Sequence, residues 1–312
     1  MTLVFMGNPE FAVPSLERLA KSRHQILSVV TNPDTEQGRG RRFLPPPIKR
    51  TALRLGYPVL QPGRLRDPAF IGQLEEMAPD LFVIVAFRIL PDEVVAMPKI
   101  GAINLHASLL PRYRGAAPIQ WVIVNGECET GLTTFLIDSG VDTGKILLQR
   151  RVTIGEDETS GELHDRLMEI GADLLVETID GLHVGTVIPI PQQGERGPRA
   201  PKLSKDDGRI PWTKSASEIR NFIRGMNPFP GACTGWRGGT LKIHRADTID
   251  WETDVGPGTI LKTDPREGVT VATGDKRGLL LREVQLPGKR PITSAEWVRG
   301  YRVEAGEQLG EL

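Results

Sequence analysis

Residues 3–31, LVFMGNPEFAVPSLERLAKSRHQILSVVT, decide how this chain folds. The apolar run at 3–6 is too short for a helix and reads as a buried strand, and Gly7, Asn8 and Pro9 make the turn that ends it. Residues 10–20 put Phe11, Leu16 and Leu19 on one side of a helix. The apolar, β-branched run at 26–31 returns as a second strand. A strand, a crossover helix and a second strand pair in parallel, and two further apolar runs at 81–87 and 102–105 extend the same pattern. The expectation is an α/β fold: an open, mostly parallel sheet with helices on its faces.

Outward from that opening, residues 32–47 are rich in Gly, Pro and Arg without periodicity and read as a long exposed loop, followed by a helical stretch at 48–55. Strands at 132–137 and 145–153 flank a Gly-rich turn. Residues 160–182 carry helical spacing through Leu163, Leu167 and Leu174, with Thr159 and Ser160 able to cap the helix. From 189 to 207 the composition turns to Pro, Gly, Gln and charges, as in a linker. The expected organisation is therefore a catalytic domain at 1–189, a linker at 190–207 and a second domain at 208–312. The second domain has a helix at 217–226 and short β runs at 240–243, 259–261, 269–272 and 279–286, the pattern of a small β-barrel or sandwich.

A length of 312 residues with 25% charged residues suits two globular domains. The 39 basic residues balance the 39 acidic ones, which argues against a surface coated in phosphate-binding groups but leaves room for patches. The clearest patch is Arg39, Arg41, Arg42, Lys49 and Arg50, with no acidic residue between its ends. The longest apolar block, 81–87, is far too short to span a bilayer, so no membrane association and a cytoplasmic location are expected. Cys128 and Cys233 lie far apart without a Cys-x-x-Cys partner, which suggests neither a disulfide nor a thiolate zinc site and leaves both as packing residues. Trp212, Trp236, Trp251 and Trp297 read as core anchors.

The chemistry is concentrated at residues 104–111, NLHASLLP, where a buried strand leaves the sheet. Side chains two apart on a strand point the same way, so Asn104 and His106 project together into the crevice beyond the strand ends, where open α/β sheets bind ligands. The Gly-flanked turn at 138–144 can bring Asp142 against His106. An amide, an imidazole and a carboxylate suit acyl transfer to an amine. Asn104 can donate to the developing oxyanion, and His106 can hold or shuttle a proton near neutral pH. Asp142 can fix the imidazole tautomer, stabilise its cation or accept the amine proton through water. Taken alone, the same residues also serve as turn and packing groups, and Asp138 and Asp142 as backbone caps. Ser108 lacks a Gly-x-Ser-x-Gly elbow, and the segment from Gly7 has neither a Gly-x-Gly-x-x-Gly fingerprint nor a phosphate-loop Lys, which disfavours serine-nucleophile, nicotinamide and nucleotide enzymes.

These stretches closely resemble the methionyl-tRNA formyltransferases, within the wider family of formyltetrahydrofolate-dependent formyltransferases. The matching pieces are VFMGNPEF at 4–11, GRGRR at 38–42, NLHASLLPRYRGAAPIQ at 104–120, GVDTG at 140–144, KLSK at 202–205 and NPFP at 227–230, which together run through nearly the whole chain. The resemblance implies a Rossmann-like open sheet followed by a small OB-like β-barrel. It implies a catalytic trio of Asn104, His106 and Asp142, with 10-formyltetrahydrofolate as donor and the methionine α-amine of initiator methionyl-tRNA as acceptor. No metal is expected, and the enzyme is expected to be a monomer.

For the folate the same likeness points to Ala86, Phe87, Arg88, Ile89 and Leu90, to Ser108, Leu109, Leu110 and Pro111, and to Ile137, Asp138, Gly140 and Val141. Arg88 departs from the Gly of many relatives in a loop one residue shorter. For the tRNA it points to the loop carrying Arg39, Arg41, Arg42, Lys49 and Arg50, and in the barrel to Lys242 and Arg245, with Lys276, Arg277, Lys289 and Arg290 as further phosphate contacts. The Asn-x-His and Asp signature identifies the chemistry better than the acceptor. A formyltransferase acting on an amino sugar or ribonucleotide amine is the closest alternative, and a non-catalytic RNA-binding protein is the alternative of a different class.

Overall fold

The computed structural model describes residues 1–37, 42–194 and 197–310. The chain forms two compact units: Met1–Gly115, Glu129–Thr153 and His164–Arg199 make the first, and Ala116–Cys128, Ile154–Leu163 and Ala200–Leu312 the second. Composition suggests a single cut along the chain, whereas two short stretches ahead of that cut group with the C-terminal unit.

In the first unit the strands are β1 (Thr2–Gly7), β2 (Gln25–Val30), β3 (Thr35–Gln37), β4 (Arg42–Leu44), β5 (Val59–Leu60), β6 (Leu81–Val85), β7 (Gly101–His106), β8 (Glu129–Leu136) and β9 (Ile146–Thr153). Seven of them form one sheet in the order β5-β2-β1-β6-β7-β8-β9. It is parallel from β5 to β7 and antiparallel from β7 to β9. Strand order reverses between β1 and β6, so a crevice opens beyond their carboxyl ends, next to the end of β7. Residues 3–6 and 81–85 are fully or almost fully buried, because parallel strands covered on both faces need continuous apolar runs. On one face Val4, Met6, Phe82, Ile84 and Ala102 pack with Phe70 and Leu74. On the other, the helix Ser160–Val184 comes close: a Cβ on Gly171 would lie 2.8 Å from Leu105.

Three local differences from the sequence reading have simple causes. The first helix begins with a short 3₁₀ turn, Glu10–Ala12, and becomes α-helical only at Val13–Ala20, since Pro14 lacks an N–H and is tolerated only in a first turn. Strand β6 stops at Val85, short of the apolar run at 81–87, because Ala86 takes a left-handed conformation, φ 49°. Residues 32–47 are not all loop: β3 and β4 pair antiparallel, with Thr35 opposite Leu44. Strands of three residues are too short to show alternation.

The second unit has β10 (Cys233–Trp236), β11 (Gly239–Glu252), β12 (Ile260–Asp264), β13 (Gly268–Ala272), β14 (Arg277–Gln285) and β15 (Ile292–Thr293), all antiparallel, in the order β10-β11-β14-β13-β12 with β15 on β14. Residues near the C-terminus bond both edges. Gly310 bridges Gly235 of β10, and Gln308 bridges Thr259 just ahead of β12, so the sheet closes on itself as a barrel rather than splitting into a sandwich. The helices Ala216–Gly225 and Ser294–Tyr301 each begin with a reciprocal cap, Ser215 with Glu218 and Thr293 with Glu296. Trp236 and Trp297 meet edge to face at 4.9 Å inside the barrel. Trp251, expected as an anchor, is 39% exposed instead, near the far end of the long strand β11. Cys128 is exposed rather than packed, while Cys233 is half-buried and burial pushes its thiol pKa up. No helix among the described residues is long and apolar enough to cross a membrane.

Candidate active site

Asn104 and His106 stand two apart at the end of β7, in register with Ile84 of β6 and with Phe135 and Thr133 of β8. Both therefore project from the face opposite Leu105. His106 is almost wholly enclosed. Its Nε2 lies 2.9 Å from the Tyr113 carbonyl oxygen, which can only accept, so that nitrogen carries the proton. Nδ1 then faces the Asp142 carboxylate, 3.8 Å away, with side-chain exposures of 7% and 14%. Asp142 sits in a left-handed conformation, φ 55°, and its Oδ2 accepts the Gly115 N–H at 2.9 Å. The Asn104 side-chain amide has no hydrogen-bond partner among the described residues.

The turn bearing Asp142 is built for sharp reversal. Asp138 accepts from the Gly140 N–H at 3.0 Å and from the Thr143 hydroxyl at 2.6 Å, so it caps its own turn. A Cβ on Gly144 would fall 1.6 Å from the Leu136 carbonyl oxygen, which admits only glycine. The segment between His106 and Tyr113 is pinned as well. The Ser108 hydroxyl donates to the Arg112 carbonyl at 2.7 Å, and the Thr133 hydroxyl donates to the Ser108 carbonyl at 2.6 Å. Gln149 donates to the Leu110 carbonyl at 2.9 Å. The sequence reading missed the backbone groups of Tyr113 and Gly115, because a carbonyl or amide that serves a site leaves no mark in residue type.

Of the other folate candidates, Leu90, Ser108 and Leu110 are buried, Leu109, Pro111, Phe87 and Ile137 are half-buried, and Ala86, Gly140 and Val141 are exposed. Ile89 is 81% exposed. Arg88 is turned toward a neighbouring loop: its guanidinium donates to the carbonyls of Pro62 and Gly63 at 2.9 and 3.2 Å, and burial lowers its pKa. Of the tRNA candidates, Arg39, Arg41 and the side chain of Arg42 lie outside the described residues. Lys49 donates to both carboxylate oxygens of Asp34, at 2.7 and 2.8 Å, so its charge is matched, while Arg50 is exposed. In the barrel, Arg245 pairs with Glu162 at 2.7 Å, Lys276 with Asp254 at 2.9 Å, and Arg277 with Asp250. Lys242, Lys289 and Arg290 are exposed.

Comparison with known proteins gives this site a family. A family model described as formyl transferase matches residues 1–179, and one described as formyl transferase, C-terminal domain, matches residues 202–302. The chain is similar to a methionyl-tRNA formyltransferase of Geobacter sulfurreducens, 44% identical over 312 residues that cover 100% of this chain and 97% of the relative. It is also similar to one of Roseiflexus sp., 47% identical over 315 residues, 100% of this chain and 96% of the relative. Among solved structures, the N-formyltransferase of Helicobacter canadensis, in complex with folinic acid and dTDP-3-aminofucose, shares the fold with a TM-score of 0.67 at 22% identity, over 89% of this chain and 98% of its own. With both halves matched by family models and relatives alike from end to end, the chain belongs to the formyl transferase family.

Proposed function

We propose that the chain transfers the formyl group of 10-formyltetrahydrofolate to the α-amino group of methionine on initiator methionyl-tRNA, acting in the cytoplasm as a monomer. The observation that carries the acceptor is the end-to-end likeness, at 44–47% identity, to proteins named for that reaction. The chemistry follows from Asn104, His106 and Asp142. The amine nitrogen attacks the formyl carbon, and negative charge builds on the formyl oxygen. A preorganised amide such as Asn104 is worth roughly 2.7–4 kcal/mol to that oxyanion in a dry site.

The attacking nitrogen must also lose a proton. With Nε2 donating to Tyr113 and Oδ2 occupied by Gly115, the vacant acceptors of the pair are Nδ1 of His106 and Oδ1 of Asp142. A proton on Nδ1 makes a cation facing the carboxylate, which strengthens their contact. As the C–N10 bond breaks, the proton returns to the folate nitrogen, so atoms and charge balance. Each step is served by a side chain, and no metal is assigned to it.

Residues 86–90 and 108–111, with Ile137, Asp138, Gly140 and Val141, are assigned to the folate. The basic stretch at 39–50, with Lys242 and Arg245, is assigned to tRNA phosphates, and the chain is divided functionally at 190–207. The test supplies 10-formyltetrahydrofolate labelled in the formyl carbon with initiator methionyl-tRNA, a nucleotide-linked amino sugar or a ribonucleotide amine. Label is expected on the methionyl ester of the tRNA. Rapid labelling of the sugar or nucleotide amine with none on tRNA overturns the proposal.

A further inference from the structure

Gln192 lies in the irregular stretch that leads out of the first unit, where composition suggests nothing but a linker. The antiparallel bridge between Ile190 and Ile146, at the start of β9, with both hydrogen bonds 2.8 Å, sets this stretch beside the turn that carries Asp142. From there the Gln192 amide nitrogen donates to the carbonyls of Asp142 and Gly144, at 2.9 and 2.8 Å. Its oxygen accepts from Nε and Nη2 of Arg114, at 3.2 and 2.5 Å.

Arg114 stands between Tyr113, whose carbonyl holds His106, and Gly115, whose N–H holds Asp142. A closed ring results, running from His106 through Tyr113, Arg114, Gln192 and Asp142 back to His106. The same departing stretch also receives the Tyr113 N–H on the Pro198 carbonyl at 2.7 Å. We infer that Gln192 is a positioning residue for the formyl transfer: it sets the distance and direction between Asp142 and the His106 ring.

A carboxylate does not fit this place. One planar amide must donate twice and accept twice, which Glu cannot do for lack of protons. Without the two donors, nothing in the ring holds the left-handed Asp142 backbone from outside its own turn, and a misplacement of about 1 Å at a reacting group costs up to roughly a hundredfold in rate.

The inference rests on the proposed formyl transfer, and its test separates the two. Gln192→Ala and Gln192→Glu in the full chain are expected to lower kcat at least about tenfold, with KM for the folate and the unfolding midpoint little changed. In an Asp142→Ala background, Gln192→Ala should cost nothing further, because its effect passes through Asp142. A readout free of substrate is amide exchange: in Gln192→Ala the Gly115 amide, released by Asp142, should exchange faster, while the Tyr113 amide keeps its protection. Rescue by Gln192→Glu, an additive loss in the double variant, or unchanged Gly115 exchange overturns the inference. Failure of the wild-type enzyme to formylate the tRNA would sink only the acceptor assignment, since the exchange measurement still decides the role of Gln192.

Discussion

Asp80 offers the sharpest test of how the first unit is held together. Its carboxylate accepts the Thr2 N–H at 2.8 Å and the Lys99 ammonium at 3.0 Å, tying the start of β1 to the strand beside it. The Thr2 N–H first, and Lys99 next, hold its pKa at about 2 instead of 3.8. At about 1.4 kcal/mol per tenfold change in proton affinity, that difference is worth at most about 2.5 kcal/mol. A side chain 26% exposed to water screens it to about 1–2 kcal/mol.

Asp80→Asn removes the charge and keeps the shape. Because the folded-state pKa is depressed, the stabilisation is fully present above the unfolded-state pKa near 4 and is lost as pH falls through about 2. The variant should therefore be about 1–2 kcal/mol less stable at pH 7, with its Tm lower by about 2–4 °C for each kcal/mol, and the gap should close between about pH 4 and pH 2. Urea unfolding followed by far-UV circular dichroism reads this. Tryptophan fluorescence does not, since all five tryptophans, at 121, 212, 236, 251 and 297, belong to the second unit. Equal stability at pH 7, or a gap that persists undiminished toward pH 2, would refute the reasoning.

Two further outcomes are expected. Asn104→Ala, His106→Ala and Asp142→Ala should each lower turnover by at least about tenfold to a hundredfold in a folded protein, and unchanged turnover in all three would remove the catalytic assignment. Arg50→Ala should raise the tRNA concentration needed and flatten its salt dependence, whereas Lys49→Ala, whose charge Asp34 already matches, should leave the salt slope nearly unchanged; equal slopes in both variants would contradict the pairing.

Much of the architecture is legible along the chain. The buried parallel strands are continuous apolar runs, and the helix Ser160–Val184 announces itself by Leu163, Leu167 and Leu174, fully or almost fully buried in the structure. Thr159 caps it as its residue type suggests, exchanging bonds with Glu162. The pairing of β3 with β4 was illegible because these strands are too short for a period to emerge. Closure of the barrel was equally illegible, since it depends on residues 307–310 meeting two strand edges distant in the chain.

At the site the division is the same. Residue type and a spacing of two place Asn104 and His106 on one side of one strand, because side-chain direction in a strand is a local property of the backbone. The tautomer of His106, the hold of Gly115 on Asp142 and the bracing by Gln192 arise where residues 7, 27 and 50 apart in the chain touch through backbone groups. Every residue carries the same carbonyl, and every residue but proline the same N–H, so their use is written in no residue type, and folding in three dimensions alone decides which of them meet.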